Sequence, residues 1–232
     1  MKYAIITFSI FLLRFNSIAQ NTNFNQGGTI QKDYFSTIEF ENIAGFIILK
    51  ATIQGDVYRF LLDTGAPNAI SKTLYEKLKP SNINKIAIAD ANGTKDTMKV
   101  TTIEELTFGN VVFNNIPTVV FEDFILLECM KIDGFIGSNM LRNSIIQIFY
   151  ADNKLILTDN DTRLKLSENF VANMELPDEQ STPYIEITLR GEIEGADWPK
   201  FDTGCKCFYD ISSRTYDSVF SKFPLLKLEN EG

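Results

Sequence analysis

Strand-length runs of apolar and β-branched residues, punctuated by Gly, Asn and Pro, set the rhythm of the chain from residue 37 onward. Residues 38–53 form one such run, Gln54-Gly55 reads as a turn, and residues 57–62 lead straight into Asp63-Thr64-Gly65. The pattern predicts a hairpin that delivers a loop. Leu74 and Leu78 follow at helical spacing behind Ser71, with Pro80 as a stop, which predicts a short helix over 71–78. Residues 86–90 and 99–103 flank Asn92-Gly93, a dipeptide that favours tight hairpin turns because both residues tolerate positive φ. Further strands are expected at 105–108, 111–113 and 117–121, then a hairpin from 145–150 and 154–157. The fold class is mainly β: the region 37–158 is β-rich, with one or two short helices.

A second, shorter pattern begins after a charged and polar stretch at 159–182 that reads as a linker. Residues 184–189 alternate like a strand, Arg190-Gly191 turns, and Phe201 brings the chain to Asp202-Thr203-Gly204. The order of strand, Gly turn, strand and Asp-Thr-Gly thus occurs twice, which predicts an internal repeat with 183–232 as the start of a second similar lobe. At the other end, Lys2, an apolar stretch and Ser17-Ile18-Ala19 predict a signal peptide over 1–19. An exported protein, periplasmic or extracellular, is expected. Residues 20–36, rich in Asn, Gln, Gly and Thr, read as a flexible lead-in. The apolar run is too short for a membrane span.

Composition narrows the chemistry. A hydrophobic share of 44% can build a real core, and a net charge of -8 speaks against nucleic acid or an anionic membrane as partner. The chain has no histidine. Ser-His-Asp and Cys-His catalysis and histidine-based zinc sites are therefore excluded, and carboxylate chemistry remains. Cys129, Cys205 and Cys207 are an odd set; Cys205 and Cys207 are too close in sequence for an easy mutual bridge, and a bridge from Cys129 is an open alternative. Neither a metal nor a cofactor is expected.

The two Asp-Thr-Gly copies carry the functional signal. Thr supplies a local hydroxyl to a tight turn, and Gly accepts geometry closed to other residues. One copy is expected by chance on the order of 0.05 times in such a chain, so two in similar surroundings are informative. Phe60-Leu61-Leu62-Asp63-Thr64-Gly65-Ala66, followed by Asn68-Ala69-Ile70-Ser71, resembles the active-site strand and loop of retropepsin-like and pepsin-like aspartic peptidases, particularly bacterial exported ones. Asp133-Gly134-Phe135-Ile136-Gly137 resembles the family's second landmark, which threads beside that loop. The hairpin around Asn92 and Gly93 lies where the family carries its flap. The resemblance implies a closed, barrel-like lobe over 37–158 and catalysis by Asp63 and Asp202, with Thr64, Gly65, Thr203, Gly204, Ile136 and Gly137 in support. Its implied reaction is endopeptidase cleavage of a peptide or protein substrate by water activated between two carboxyls.

The second half departs from that pattern, with Pro199-Lys200 in place of an apolar approach and Cys205-Lys206-Cys207 after the glycine. A second flap and a second apolar-apolar-Gly segment do not follow. Three assemblies stay open. Asp63 and Asp202 face each other in one two-lobed site whose remainder lies beyond this sequence; Asp63 pairs with its own copy in a homodimer; or the chain is a β-rich binding or adaptor protein, or an inactive fragment, that keeps the fold without turnover. Asp133 reads as a turn residue rather than a third acid.

Overall fold

A computed structural model describes residues 23–89, 95–122, 125–166, 171–187 and 197–206, together with Asp217 and Ser221. The expected signal peptide, the expected hairpin tip with Asn92 and Gly93, the expected turn at Arg190-Gly191, Cys207 and nearly all of 208–232 lie outside the described residues.

The chain opens with β1 (Phe35–Glu39), β2 (Glu41–Ile43), β3 (Phe46–Ile53) and β4 (Asp56–Asp63). β3 and β4 pair from Ile48↔Leu61 to Ile53↔Asp56. Gln54 and Gly55, both at positive φ (51° and 85°), make the two-residue turn whose twist suits a hairpin. Then come β5 (Ala69–Ser71) and α1 (Lys72–Leu78). Ser71 caps α1 by accepting from Leu74 N at 3.1 Å, Lys79 ends it in the left-handed region, and Leu74 and Leu78 face the core. The helix is where the spacing of apolar residues placed it.

β6 (Ile83–Ala89), β7 (Lys95–Phe108) and β8 (Val111–Phe121) form a meander. The sequence pattern broke β7 and β8 into four pieces at Glu104 and at Asn114-Asn115; the structure has two long strands. The ladder is interrupted between Ile103↔Ile116 and Glu105↔Asn114, where Asn115 takes a φ of 56°, and it resumes in the same register. The polar residues that read as chain breaks are a local flaw in continuous strands.

After α2 (Ile125–Met130), β9 (Gly134–Gly137) enters between β4 and β5, parallel to the first and antiparallel to the second. The ring β3-β4-β9-β5-β8-β7 then closes through Ala51↔Phe108 and Thr52↔Thr107. This is a six-stranded closed barrel, as the resemblance implied. α3 (Ser138–Leu141) follows, then β10 (Ile145–Phe149) and β11 (Lys154–Thr158), which form a separate three-stranded sheet with β1. β12 (Met174–Glu175) and β13 (Tyr184–Ile185) pair beyond it.

β4 shows why its sequence is a continuous apolar run rather than an alternating one. Phe60 and Leu62 belong to one buried cluster with Leu49, Ile70, Phe108 and Ile136, whereas Leu61 belongs to a second with Ile48, Ala69, Val119 and Phe135. Alternate side chains point to opposite faces, and both faces are covered. The first Asp-Thr-Gly therefore hangs from a strand buried on both sides.

Residues 23–36 are not the loose lead-in that their composition suggests. Phe24 and Tyr34 are buried, and Gly28 exchanges two backbone hydrogen bonds of 2.8 Å with Asn114. Arg142 clamps the segment by donating to Gln26 O and Gly27 O. Low hydrophobicity misled here because two buried aromatics, a backbone pairing and one arginine clamp hold a segment that is otherwise polar.

A buried polar network fixes the loop after the first motif. Asn139, fully buried, accepts from Asn68 N (2.7 Å) and donates to Pro117 O (2.9 Å) and Phe24 O (3.3 Å). Asn68 in turn donates to Thr118 Oγ1 at 3.0 Å. Asn139→Ala strands one backbone donor and two acceptors in a dry environment, so it is expected to cost roughly 2–4 kcal/mol in urea denaturation. A loss under about 0.5 kcal/mol would show that the network contributes little.

Candidate active site

Two loops meet at the site, each an Asp-Thr-Gly. The first leaves the end of β4 and is backed by β9: Asp63 lies beside Gly137 in the parallel β4–β9 ladder. This requires a bare glycine, because a Cβ on Gly137 would sit 2.2 Å from Asn68 N and 2.6 Å from Ala66 O. Ile136, fully buried beside Leu62, fills the barrel behind the loop. Ser138 N donates to Ala66 O at 3.0 Å, closing the contact.

The second loop follows an extended stretch, 197–201, that runs antiparallel to 183–187 through the bridges Tyr184↔Lys200 and Ile187↔Asp197. Its environment is poorer than that of β4. Phe201, the counterpart of the fully buried Leu62, is 48% exposed.

A reciprocal net of hydrogen bonds joins the loops. Thr64 N donates to Thr203 Oγ1 and Thr203 N donates to Thr64 Oγ1, both at 3.1 Å. Each hydroxyl then donates to the carbonyl before the opposite aspartate, Thr64 to Phe201 O (2.6 Å) and Thr203 to Leu62 O (2.9 Å). Within each motif the glycine N–H donates to its own aspartate's Oδ1, Gly65 to Asp63 (3.0 Å) and Gly204 to Asp202 (2.8 Å). Every contact has a partner related by an approximate twofold.

That symmetry brings the carboxyls across each other. A Cβ on Gly65 would lie 2.1 Å from Asp202 Oδ2, and one on Gly204 would lie 2.4 Å from Asp63 Cγ. Each carboxyl therefore rests over the other motif's glycine. Burial, and after it the Asp202 charge, push the Asp63 carboxyl up from an ordinary value to about 7, against the opposing hydrogen bond from Gly65 N. The pair holds a proton into the neutral range.

Thr203 is the hinge of this net and gives a direct test. Thr203→Val keeps the shape but leaves Thr64 N and Leu62 O without their partner, so kcat/KM is expected to fall about tenfold or more and the melting temperature to drop. Thr203→Ser, which restores the hydroxyl, should recover most of both. Equal behaviour of the Val and Ser variants would show that the hydroxyl does not hold the loops.

The sequence pattern overlooked one element of the site. Residues 178–182, read as linker, form a turn around Asp178, whose Oδ1 accepts from Gln180 N (3.2 Å) and Thr182 N (2.7 Å). Thr182 is fully buried, Ser138 Oγ donates to Gln180 O at 2.8 Å, and Gln180 Nε2 donates to Gly65 O at 3.4 Å. The signal was present as an Asp followed by Ser181-Thr182, a pattern of side-chain-capped turns.

Asp133 has a structural role. Its Oδ2 accepts from Arg59 N (2.8 Å), its N–H donates to Arg59 O (2.6 Å), and its carbonyl accepts from Ser71 N (2.7 Å), so it ties β4 to β5. Phe121 packs edge-on to Phe135, with centroids 5.3 Å apart. Cys205 is disulfide-bonded and Cys129 carries a free, exposed thiol, so the bridge from Cys129 is ruled out. Asn92 and Gly93, the expected flap tip, lie outside the described residues, although the β6–β7 hairpin that would carry them is formed.

Comparison with known proteins gives two similarities. The aspartyl protease family matches residues 49–140. Among solved structures, a retropepsin-like aspartic protease from Rickettsia conorii is similar, with 23% identity, a TM-score of 0.41, and coverage of 55% of this chain and 96% of that one. No curated protein matches the chain. The matched residues 49–140 run from β3 to α3 and include Asp63, Ile136 and Gly137.

Proposed function

We propose that the chain is an aspartic endopeptidase whose two catalytic aspartates, Asp63 and Asp202, come from one polypeptide. The observation that carries this reading is the reciprocal Thr64–Thr203 net, which sets two carboxyls face to face with their loops braced. Like charges this close do not both ionise at neutral pH, as is general for the carboxylate pairs of aspartic proteases. With the proton on Asp63, the other carboxylate takes a proton from a water held between them as that water attacks the peptide carbonyl. The Asp63 proton moves towards the carbonyl oxygen and offsets its developing charge. As the tetrahedral intermediate collapses, the proton taken from water passes to the departing nitrogen, the C–N bond breaks, and a hydroxyl proton of the intermediate returns to Asp63.

The position facing Asp63 is occupied by Asp202 of the same chain, which favours a single-chain site over a homodimer of Asp63 loops. It likewise favours turnover over a binding-only role, since a pure adaptor has no need of two braced carboxyls. The test is cleavage of a mixed peptide library by the chain across pH 3 to 9, with and without a statine-type transition-state inhibitor. Inhibitor-sensitive cleavage that declines as the pH passes about 7 supports the reading, since the pair then loses its proton. A folded chain that cleaves nothing, or whose cleavage ignores the inhibitor, overturns it.

A further inference from the structure

Lys200 stands two residues before Asp202, where the matching position before Asp63 holds Leu61, 1% exposed. In extended backbone, positions i and i+2 share a face. The stretch is extended here: Ile185 N donates to Pro199 O (3.1 Å) and Phe201 N to Pro183 O (2.8 Å) on either side of Lys200. The lysine therefore projects to the same side as the Asp202 carboxyl, and its Nζ reaches Gly65 O at 3.3 Å. Gly65 is the residue over which that carboxyl sits. An ammonium thus stands at the contact between the two motifs.

An ammonium has three donors. The Gly65 carbonyl takes one, and Lys200 is exposed, so its charge is accessible to a molecule lying across the aspartates. The surrounding chain has a net charge of -8, and Lys206, the other lysine near this loop, places its Nζ 4.6 Å from the centroid of the Phe46 ring. A peptide whose scissile carbonyl sits between Asp63 and Asp202 must carry its flanking side chains past Gly65. A carboxylate on one of them would meet the only cationic side chain that touches the first loop among the described contacts.

We propose that Lys200 sets substrate specificity, its ammonium binding the carboxylate of an Asp or Glu side chain next to the scissile bond. This rests on Asp63 and Asp202 being the catalytic pair. A charge-assisted contact at a partly solvated site favours the acidic peptide by about tenfold in kcat/KM. A purely structural role for Lys200, bracing Gly65, would instead scale the cleavage of all peptides alike.

The test uses the full chain and a set of peptides that differ only in the residues flanking the cut, carrying Glu, Gln, Leu or Lys. The wild type is expected to prefer Glu over Gln about tenfold at one flank. Lys200→Met should flatten that preference, and Lys200→Glu should turn it towards Lys. An acidic preference that survives Lys200→Glu, or a wild type that cleaves with no charge preference, overturns this inference alone. A folded wild type that cleaves no peptide overturns the catalytic pair and this inference together.

Discussion

Asp202→Asn is expected to lower kcat/KM by roughly 10³-fold or more, and Asp63→Asn by a similar factor. The amide keeps the shape of the carboxyl and can still accept from the motif glycine, so both variants should remain folded. What each loses is the shared proton and the base. Because the two groups act as one unit, the double variant should be little worse than either single one. The result also separates the assemblies. A homodimeric site built from two Asp63 loops would keep its activity in the Asp202 variant, and its rate would rise with the square of chain concentration. A single-chain site loses activity in both variants, shows rates linear in chain concentration, and is not restored by mixing the two inactive proteins. Full activity in Asp202→Asn would end the single-chain reading.

The second large effect is on stability and has an unusual sign. Asp63 holds its proton to about 7 in the folded chain, against 3.8 as an ordinary carboxyl. Between those values the folded form binds more protons than the unfolded form, so stability falls as pH rises. Most acidic groups in folded proteins act in the opposite sense. The wild type is expected to lose roughly 2–4 kcal/mol between pH 4 and pH 7.5 that Asp63→Asn does not lose, measured by urea denaturation at each pH. Repulsion from the net negative charge is nearly common to both proteins and largely cancels in the difference. Parallel stability curves would show that Asp63 titrates normally and that the carboxyls do not crowd each other. On the proposed mechanism the cost of the pair at neutral pH serves the chemistry, which needs a partly protonated site.

Much of the barrel was legible because its signals are local. Gln54-Gly55, the Ser71 cap with Leu74 and Leu78, and the repeated Asp-Thr-Gly each depend on residues within one turn or one strand of each other. The strand around Asp63 was legible for a different reason: only burial on both faces explains three large apolar residues in a row at Phe60, Leu61 and Leu62. What escaped was carried by backbone groups far apart in sequence. The pairing of Gly28 with Asn114 leaves no hydrophobic trace, and neither does the seat of Gln180 on Ser138. The split of β7 and β8 failed because Asn114-Asn115 has the composition of a turn but the register of a strand. For the site, the pairing of the two motifs was one of several open assemblies in the sequence, and the Thr64–Thr203 contacts are what favour it in the proposed reading. The reach of Lys200 to Gly65 had no sequence signal beyond its departure from an apolar pattern.

The two halves of the threonine net stand on unequal ground. Thr64 follows a strand locked into a closed barrel, while Thr203 follows a stretch held, among the described residues, by two isolated bridges and flanked by a half-exposed Phe201. Opening the contact therefore requires only the weaker partner to swing away, with the barrel left intact. Amide hydrogen exchange would register this as fast loss of protection at Thr203 beside slow exchange at Leu62 and Ile136. Such a molecule has two melting events in prospect. The contact between the loops is expected to open first and quietly, so a sample that looks native by circular dichroism can already have its two carboxyls apart.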